Sequence, residues 1–179
     1  RVTDGIFQNQ AEIDASAQKG SAKPGDIRYK DLNGDGVIND NDRDIIGNSN
    51  PKSFGGFNNT FSYKGFDLNV FVQGTYGNQI LNYGNFDLLN LTGGNNQSAR
   101  VLDRWTPTNP SNEIPRANSA GGSRILSSFQ VEDGSYLRVK NISLGYTIPK
   151  TLLSRLSMTS ARIYVTAQNW FTITKYSGY

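Results

Sequence analysis

Twelve consecutive residues carry side-chain oxygens at alternating places: Asp31, Asn33, Asp35, Asn39 and Asp42 stand at positions 1, 3, 5, 9 and 12 of the run. Gly36 occupies position 6, and Val37 at position 7 can offer its carbonyl. Calcium takes six to eight hard oxygen ligands, so alternate residues must turn toward one point, with glycine at the sharpest bend. The spacing predicts a structural Ca²⁺ site. Asp31, Asn33, Asp35 and Asp42 would ligate by side chain, Val37 by its carbonyl, and Asn39 directly or through water. The other reading of these residues is a polar Asn-Gly/Asp-Gly turn that binds nothing.

The residues after the run decide what kind of site this is. Arg43-Asp44-Ile45-Ile46 passes at once into Gly47-Asn48-Ser49-Asn50-Pro51, which leaves no room for the long helix of an EF-hand. The short acid at position 12 and the Gly36-Val37-Ile38-Asn39 run are closer to a dockerin-type loop, yet the chain has no second copy. A staple within a long loop is therefore expected, rather than a sensor.

Other chemistry is sparse. Neither cysteine nor histidine occurs, which removes disulfides, thiolate or imidazole metal sites, and Cys-His or Ser-His-Asp centres. Glu132 and Asp133 are a nominal carboxylate pair, but neighbours on a strand point to opposite faces and cannot flank one glycosidic bond. No enzyme is expected. Trp105, Tyr83 and Trp170 are candidate platforms for stacking a sugar ring.

The 179 residues are 36% hydrophobic and include 19 glycines, a composition suited to twisted strands joined by polar loops. A net charge of +3 is small and scattered, without a Lys/Arg cluster, so nucleic acid is not expected as a partner. No apolar run approaches the length of a transmembrane helix. The opening Arg1-Val2-Thr3-Asp4 shows no signal peptide and reads as a fragment or mature segment.

Four stretches alternate with a period of two. Phe57, Phe61 and Tyr63 oppose Asn58, Thr60 and Ser62; Phe66, Leu68, Val70 and Val72 oppose Asp67, Asn69 and Gln73, with Phe71 the exception. Ile142, Leu144 and Tyr146 oppose Asn141, Ser143 and Thr147; Ile163, Val165, Ala167, Phe171 and Ile173 oppose Arg162, Tyr164, Thr166, Gln168 and Trp170. The third stretch begins out of phase, at Leu137 and Val139. Either a bulge lies near Lys140-Asn141 or the surroundings change along the strand. Short helices are expected over Asn9–Ala15, from Asn95 or Asn96 to Trp105, and over Leu152–Leu156.

The connections alternate too. Lys64-Gly65 is a tight hairpin turn and Pro149–Ser160 a moderate link, whereas a long polar segment precedes the first strand and another runs from Gly77 to Gly134. Short turns on one side and long loops on the other are the rhythm of a transmembrane β-barrel. The expected division is an outer loop with the calcium-type motif (1–52), a hairpin (53–76), a second long outer loop (77–135) and two further strands (136–173).

Several phrases carry a family resemblance: Thr3-Asp4-Gly5-Ile6-Phe7-Gln8, Pro24-Gly25-Asp26-Ile27-Arg28-Tyr29-Lys30-Asp31-Leu32-Asn33-Gly34-Asp35-Gly36, Arg104-Trp105-Thr106-Pro107, Glu132-Asp133-Gly134-Ser135-Tyr136-Leu137-Arg138, Asn141-Ile142-Ser143-Leu144-Gly145-Tyr146 and Ala167-Gln168-Asn169-Trp170-Phe171-Thr172. In this order, they resemble the C-terminal barrel segment of SusC/RagA-type TonB-dependent outer-membrane transporters of Bacteroidota. The resemblance implies an all-β fold: antiparallel strands of a large, 22-stranded transmembrane barrel with long extracellular loops, here a fragment of about four strands. It further implies location in the outer membrane, contact with its lipid, and a SusD-like surface lipoprotein as partner. Oligosaccharide or peptide would be taken up using TonB, through an N-terminal region this segment does not contain.

The alternative is a soluble, calcium-stapled β module that binds carbohydrate. The barrel reading predicts that Phe66, Leu68, Val70, Ile142, Leu144, Ile163, Val165 and Phe171 face lipid, and that Asp67, Asn69, Gln73, Arg162, Thr166 and Gln168 face a wet lumen. It also predicts that the two long loops touch each other.

Overall fold

A computed structural model describes residues 1–89, 96–117, 125–154 and 158–178. The chain divides into two compact units: one of residues 1–48, 80–132 and 178–179, the other of residues 49–79 and 133–177.

In the first unit, β1 (Thr3–Ile6) pairs antiparallel with β2 (Ile27–Tyr29). Between them lies α1 (Gln10–Asp14), capped by Asn9, whose side chain accepts the Glu12 N–H at 3.0 Å. The buried apolar residues of this unit include Ile6, Phe7, Ile13, Ile27, Trp105, Leu89, Val101 and Ile114; the last three form a cluster with Phe129 against it.

The second unit is built on four long antiparallel strands: β3 (Ser53–Tyr63), β4 (Phe66–Tyr76), β7 (Tyr136–Thr147) and β8 (Arg162–Thr174), hydrogen-bonded in the order β3-β4-β7-β8. The segment between β4 and β7 holds the short strands β5 (Gln79–Leu81) and β6 (Val131–Asp133), which pair with each other, and the helical turn α2 (Asn85–Leu88). A further turn, α3 (Lys150–Leu153), precedes β8.

Local chemistry explains the hairpin between β3 and β4. Lys64 and Gly65 both adopt positive φ, 47° and 87°, as the two-residue turn that matches strand twist demands. Tyr63 and Phe66 then face each other directly, and every residue of β3 back to Ser53 finds a partner on β4.

The out-of-phase start of the third stretch is a bulge. Val72 pairs with Val139 and Phe71 with Asn141, so Lys140 is the extra residue on β7. One inserted residue flips the side-chain alternation, which returns Leu137 and Val139 to the face that carries Ile142 and Leu144. On β8 the same place is spanned by Asn169, with φ 51°, and Trp170.

Smaller elements differ from expectation. The helix foreseen up to Trp105 is a 3-10 segment over Ala99–Asp103, started by the Ser98 side chain and ended by extended backbone at Arg104; Asn95 lies outside the described residues. The segment ends where Arg104 turns extended, ahead of the Thr106-Pro107 pair that disfavours helix. The turn expected at Leu152–Leu156 begins earlier, at Lys150, and residues 155–157 lie outside the described residues.

Candidate functional site

The Asp31–Asp42 run folds as a succession of side-chain turns. Asp31 accepts the N–H groups of Gly34 (2.7 Å) and Gly36 (2.8 Å), and Asp35 accepts that of Val37 at 2.9 Å. Asn33 accepts the Asp35 N–H at 3.1 Å and donates to the Asp35 carboxylate at 2.8 Å; the Asn39 amide reaches the same oxygen at 3.4 Å. Asn33, Asp35 and Asn39 are therefore drawn together, with Gly34 (φ 75°) and Gly36 (φ 79°) supplying the left-handed bends. Val37 is exposed and Asp42 stands apart as the buried anchor. Among the described residues, no group of three or more acidic side chains gathers as a metal cluster.

Asp42 locks the end of the run. Its carboxylate accepts the Asn39 N–H at 2.8 Å and the Leu32 N–H at 2.9 Å, and Asn39 returns a capping bond to the 3-10 turn Asp40–Asp42. The backbone N–H groups of Asn39 and then Leu32 hold the Asp42 carboxyl below its ordinary value of 3.8. Because the folded-state pKa is depressed, the contribution of Asp42 to the loop is complete above 3.8 and fades as pH falls through the lower, folded value. The amide-proton shifts of Leu32 and Asn39 are expected to titrate together with a midpoint below 3.8, and Asp42→Asn to abolish the titration.

The two long segments meet within the first unit. Trp105 donates its indole N–H to Gln8 Oε1 at 3.0 Å, its backbone N–H binds the Ile114 carbonyl at 2.9 Å, and the Arg116–Asp26 ion pair closes at 2.7 Å. Gly25 (φ 88°) lies so close to the Trp105 ring and Arg116 that no side chain fits there. Trp105 is only 9% exposed, so it packs the loops and offers no sugar platform; Tyr83 and Trp170, at 67% and 69%, remain open. A polar cluster that local spacing did not signal holds the same unit: Asn82 and Asn85 both donate to Glu132 Oε1, at 3.0 and 2.9 Å. The Glu132 carboxylate thus serves as a hydrogen-bond anchor.

Strand register sorts the sheet into two faces. The rows Tyr63/Phe66/Tyr146/Ile163, Phe61/Leu68/Leu144/Val165, Asn59/Val70/Ile142/Ala167 and Phe57/Val72/Val139/Phe171 share one side. All eight residues assigned to an apolar face fall here, and all six assigned to a polar face fall opposite. The apolar side is uncovered: Phe57, Ile163 and Val165 are each 67% exposed.

The polar side satisfies itself across strands. Asn69 donates to Asn58 (3.0 Å) and Thr60 (2.9 Å), and Arg138 donates to Thr172 at 2.9 Å. Arg162 of β8 reaches over β7 to Asp67 of β4, with Nε to Oδ1 at 3.0 Å and a second bond from Nη2 to Oδ2. It can do so because the strand between carries Gly145 there; any side chain would run into the guanidinium. This bridge was not legible in the chain, since its partners stand 95 residues apart.

No protein-family model matches the chain. TonB-dependent receptor P3 of Formosa agariphila is 39% identical over 176 residues, 97% of this chain. A second TonB-dependent receptor of that organism is 37% identical over 92% of the chain. This chain is a homologue of part of the TonB-dependent receptors. TonB-dependent receptor SusC of Bacteroides thetaiotaomicron is 26% identical over 88% of it. The RagAB peptide importer in its "open-open" state superposes on 99% of the chain with a TM-score of 0.73 and 26% identity. The fold is thus that of antiparallel strands from a large TonB-dependent receptor barrel. The chain spans only 17% of the length of the two Formosa receptors and 19% of the importer chain. These relatives are named receptors and importers, not enzymes, and none supports a free-standing calcium-stapled carbohydrate module.

Proposed function

We propose that this receptor segment crosses the outer membrane as part of a TonB-driven nutrient importer that takes up oligosaccharide or peptide with a SusD-like surface lipoprotein. The observation that carries the reading is the sheet. One register-locked face is apolar and exposed, while the other binds itself through amides, hydroxyls and an ion pair. A bilayer outside and water inside require that arrangement, whereas a soluble sandwich would bury the apolar side against a second sheet. The apolar rows face lipid and the Asp67–Arg162 face lines the lumen. Homology to the RagAB peptide importer and to SusC supports the importer and its lipoprotein partner.

The strand ends at Ser53, Tyr76, Tyr136 and Thr174 lie together by register, and the short Lys64-Gly65 turn lies at the other end. The connections into Ser53 and between Tyr76 and Tyr136 therefore leave from one end of the sheet, which we assign to the outside of the cell, and the Lys64-Gly65 turn to the periplasm. A rim ordered in advance lowers the entropy cost of docking a partner. Cysteine labelling of intact cells that make the full-length receptor, the parent, tests the placement: Asn48→Cys and Asn109→Cys should react with an impermeant maleimide and Lys64→Cys should not. The inverse pattern refutes it.

Calcium at Asp31–Asp42 is part of the same proposal. Asn33 and Asn39 donate their amide N–H groups to Asp35, so a cation would have to turn both amides over to offer oxygen, draw the Asp31 and Asp42 carboxylates away from backbone N–H groups, and recruit the Val37 carbonyl. Titration calorimetry on the parent should show one calcium-binding heat that Asp35→Ala removes. No heat in the parent means the run is a polar turn.

A further inference from the structure

The apolar face is interrupted near its loop end. Gly55 of β3 pairs directly with Gly74 of β4, and Gly74 with Leu137, which faces Ile173 of β8. Two residues of that four-residue row have no side chain, and a recess of about 660 Å³ opens over it. That volume lies within the roughly 300–1,000 Å³ of small-molecule sites. The recess takes in the whole row Gly55/Gly74/Leu137/Ile173, but none of the polar-face row Gly56/Gln73/Arg138/Thr172, so it opens on the apolar side.

Its rim is charged, with both signs. Lys175 and Asp133 line the recess beside Ser135 and Tyr76. Asp133 Oδ1 accepts both the N–H (2.9 Å) and the hydroxyl (2.6 Å) of Ser135. Those bonds, with the nearby Lys175 ammonium, hold its carboxyl below the ordinary range, so it is an anion at neutral pH.

We propose that this recess seats one bilayer lipid with a phosphoethanolamine head group, its acyl chain crossing Gly55 and Gly74, its phosphate on Lys175 and its ammonium on Asp133. The inference rests on the membrane-spanning reading above. An apolar floor continuous with a lipid-facing surface selects an acyl chain, and a rim with one cation and one anion selects a zwitterion with N–H donors. The two glycines differ in kind. A side chain at Gly74 would strike the Tyr136 carbonyl, whereas Gly55 has an ordinary backbone and open space around it, so a larger residue there fills the recess without disturbing the sheet.

The test is native mass spectrometry of the full-length parent receptor released from nanodiscs that hold equal phosphoethanolamine, phosphoglycerol and phosphocholine lipids. Exposed ion pairs contribute about 0.2–1 kcal/mol, so retained phosphoethanolamine lipid should exceed each of the others by roughly one-and-a-half- to fivefold. Gly55→Leu should remove the retained lipid, and Lys175→Glu should erase the preference, with unchanged circular dichroism. Equal retention of all three lipids, undiminished retention in Gly55→Leu, or cross-linking of a second copy through Ile173→Cys overturns the site. A parent that does not enter the nanodisc overturns the membrane reading itself, and this site with it.

Discussion

Arginine in place of Ile142 is expected to destabilise the parent receptor in lipid by about 2–4 kcal/mol, the cost of a cation near the bilayer midplane. Ile142 occupies the third apolar row from the Lys64-Gly65 hairpin, between Val70 and Ala167 and midway to the Gly55/Gly74 row. Its neighbour Ser143 pairs with Asn69 and Thr166 on the opposite face, where water can solvate a charge. Ser143→Arg should therefore stay within about 0.5 kcal/mol of the parent. Urea unfolding in lipid vesicles measures both, and equal costs would refute the assignment of faces.

That contrast between adjacent residues was legible in the sequence because alternation is local. Phe66 to Val70 and Ile163 to Ala167 show their apolar face without reference to anything else, whereas Phe71 breaks the pattern of its strand. The Lys140 bulge was half legible. Its phase break stands in the chain, but only the partners Val72 and Asn141–Phe71 reveal that one inserted residue heals it. Gly145 was not legible at all, because its need arises from two side chains on flanking strands, Asp67 and Arg162. Trp105 reads as a ligand platform until Gln8, 97 residues earlier in the chain, is seen to accept its indole N–H. In the Asp31–Asp42 run the turns follow from Asp, Asn and Gly at their spacing, while the metal depends on ligand geometry that spacing alone does not fix.

The second large effect concerns the loops. Gly25 combines a φ of 88° with an approach that would set a Cβ 2.7 Å from Arg116 Cβ and inside the Trp105 ring contact. Gly25→Val adds overpacking of about 1–3 kcal/mol to roughly 1–2 kcal/mol of left-handed backbone strain. The expected loss, about 2–5 kcal/mol, falls on the unit that joins residues 1–48 to 80–132. Limited proteolysis of the parent should show new cleavage in those segments while strands Ser53–Tyr63 and Tyr136–Thr147 stay protected. Capture of the proposed SusD-like lipoprotein should weaken in parallel, since loosened loops must be ordered again on docking. Intact protection of the loops would show that the Trp105–Gly25 contact does not hold them.

The central claim is that one face of the sheet meets lipid and the other water. Single cysteines at Ile163, Tyr164, Val165, Thr166, Ala167 and Gln168 of a cysteine-free parent, each carrying a fluorophore, test it most directly in bilayers with nitroxide-bearing lipid. The account predicts strong lipid quenching at 163, 165 and 167, and quenching by aqueous nitroxide instead at 164, 166 and 168. Quenching that does not alternate, or shielding of all six from both reagents, would mean that the apolar rows are packed against protein, and would contradict it.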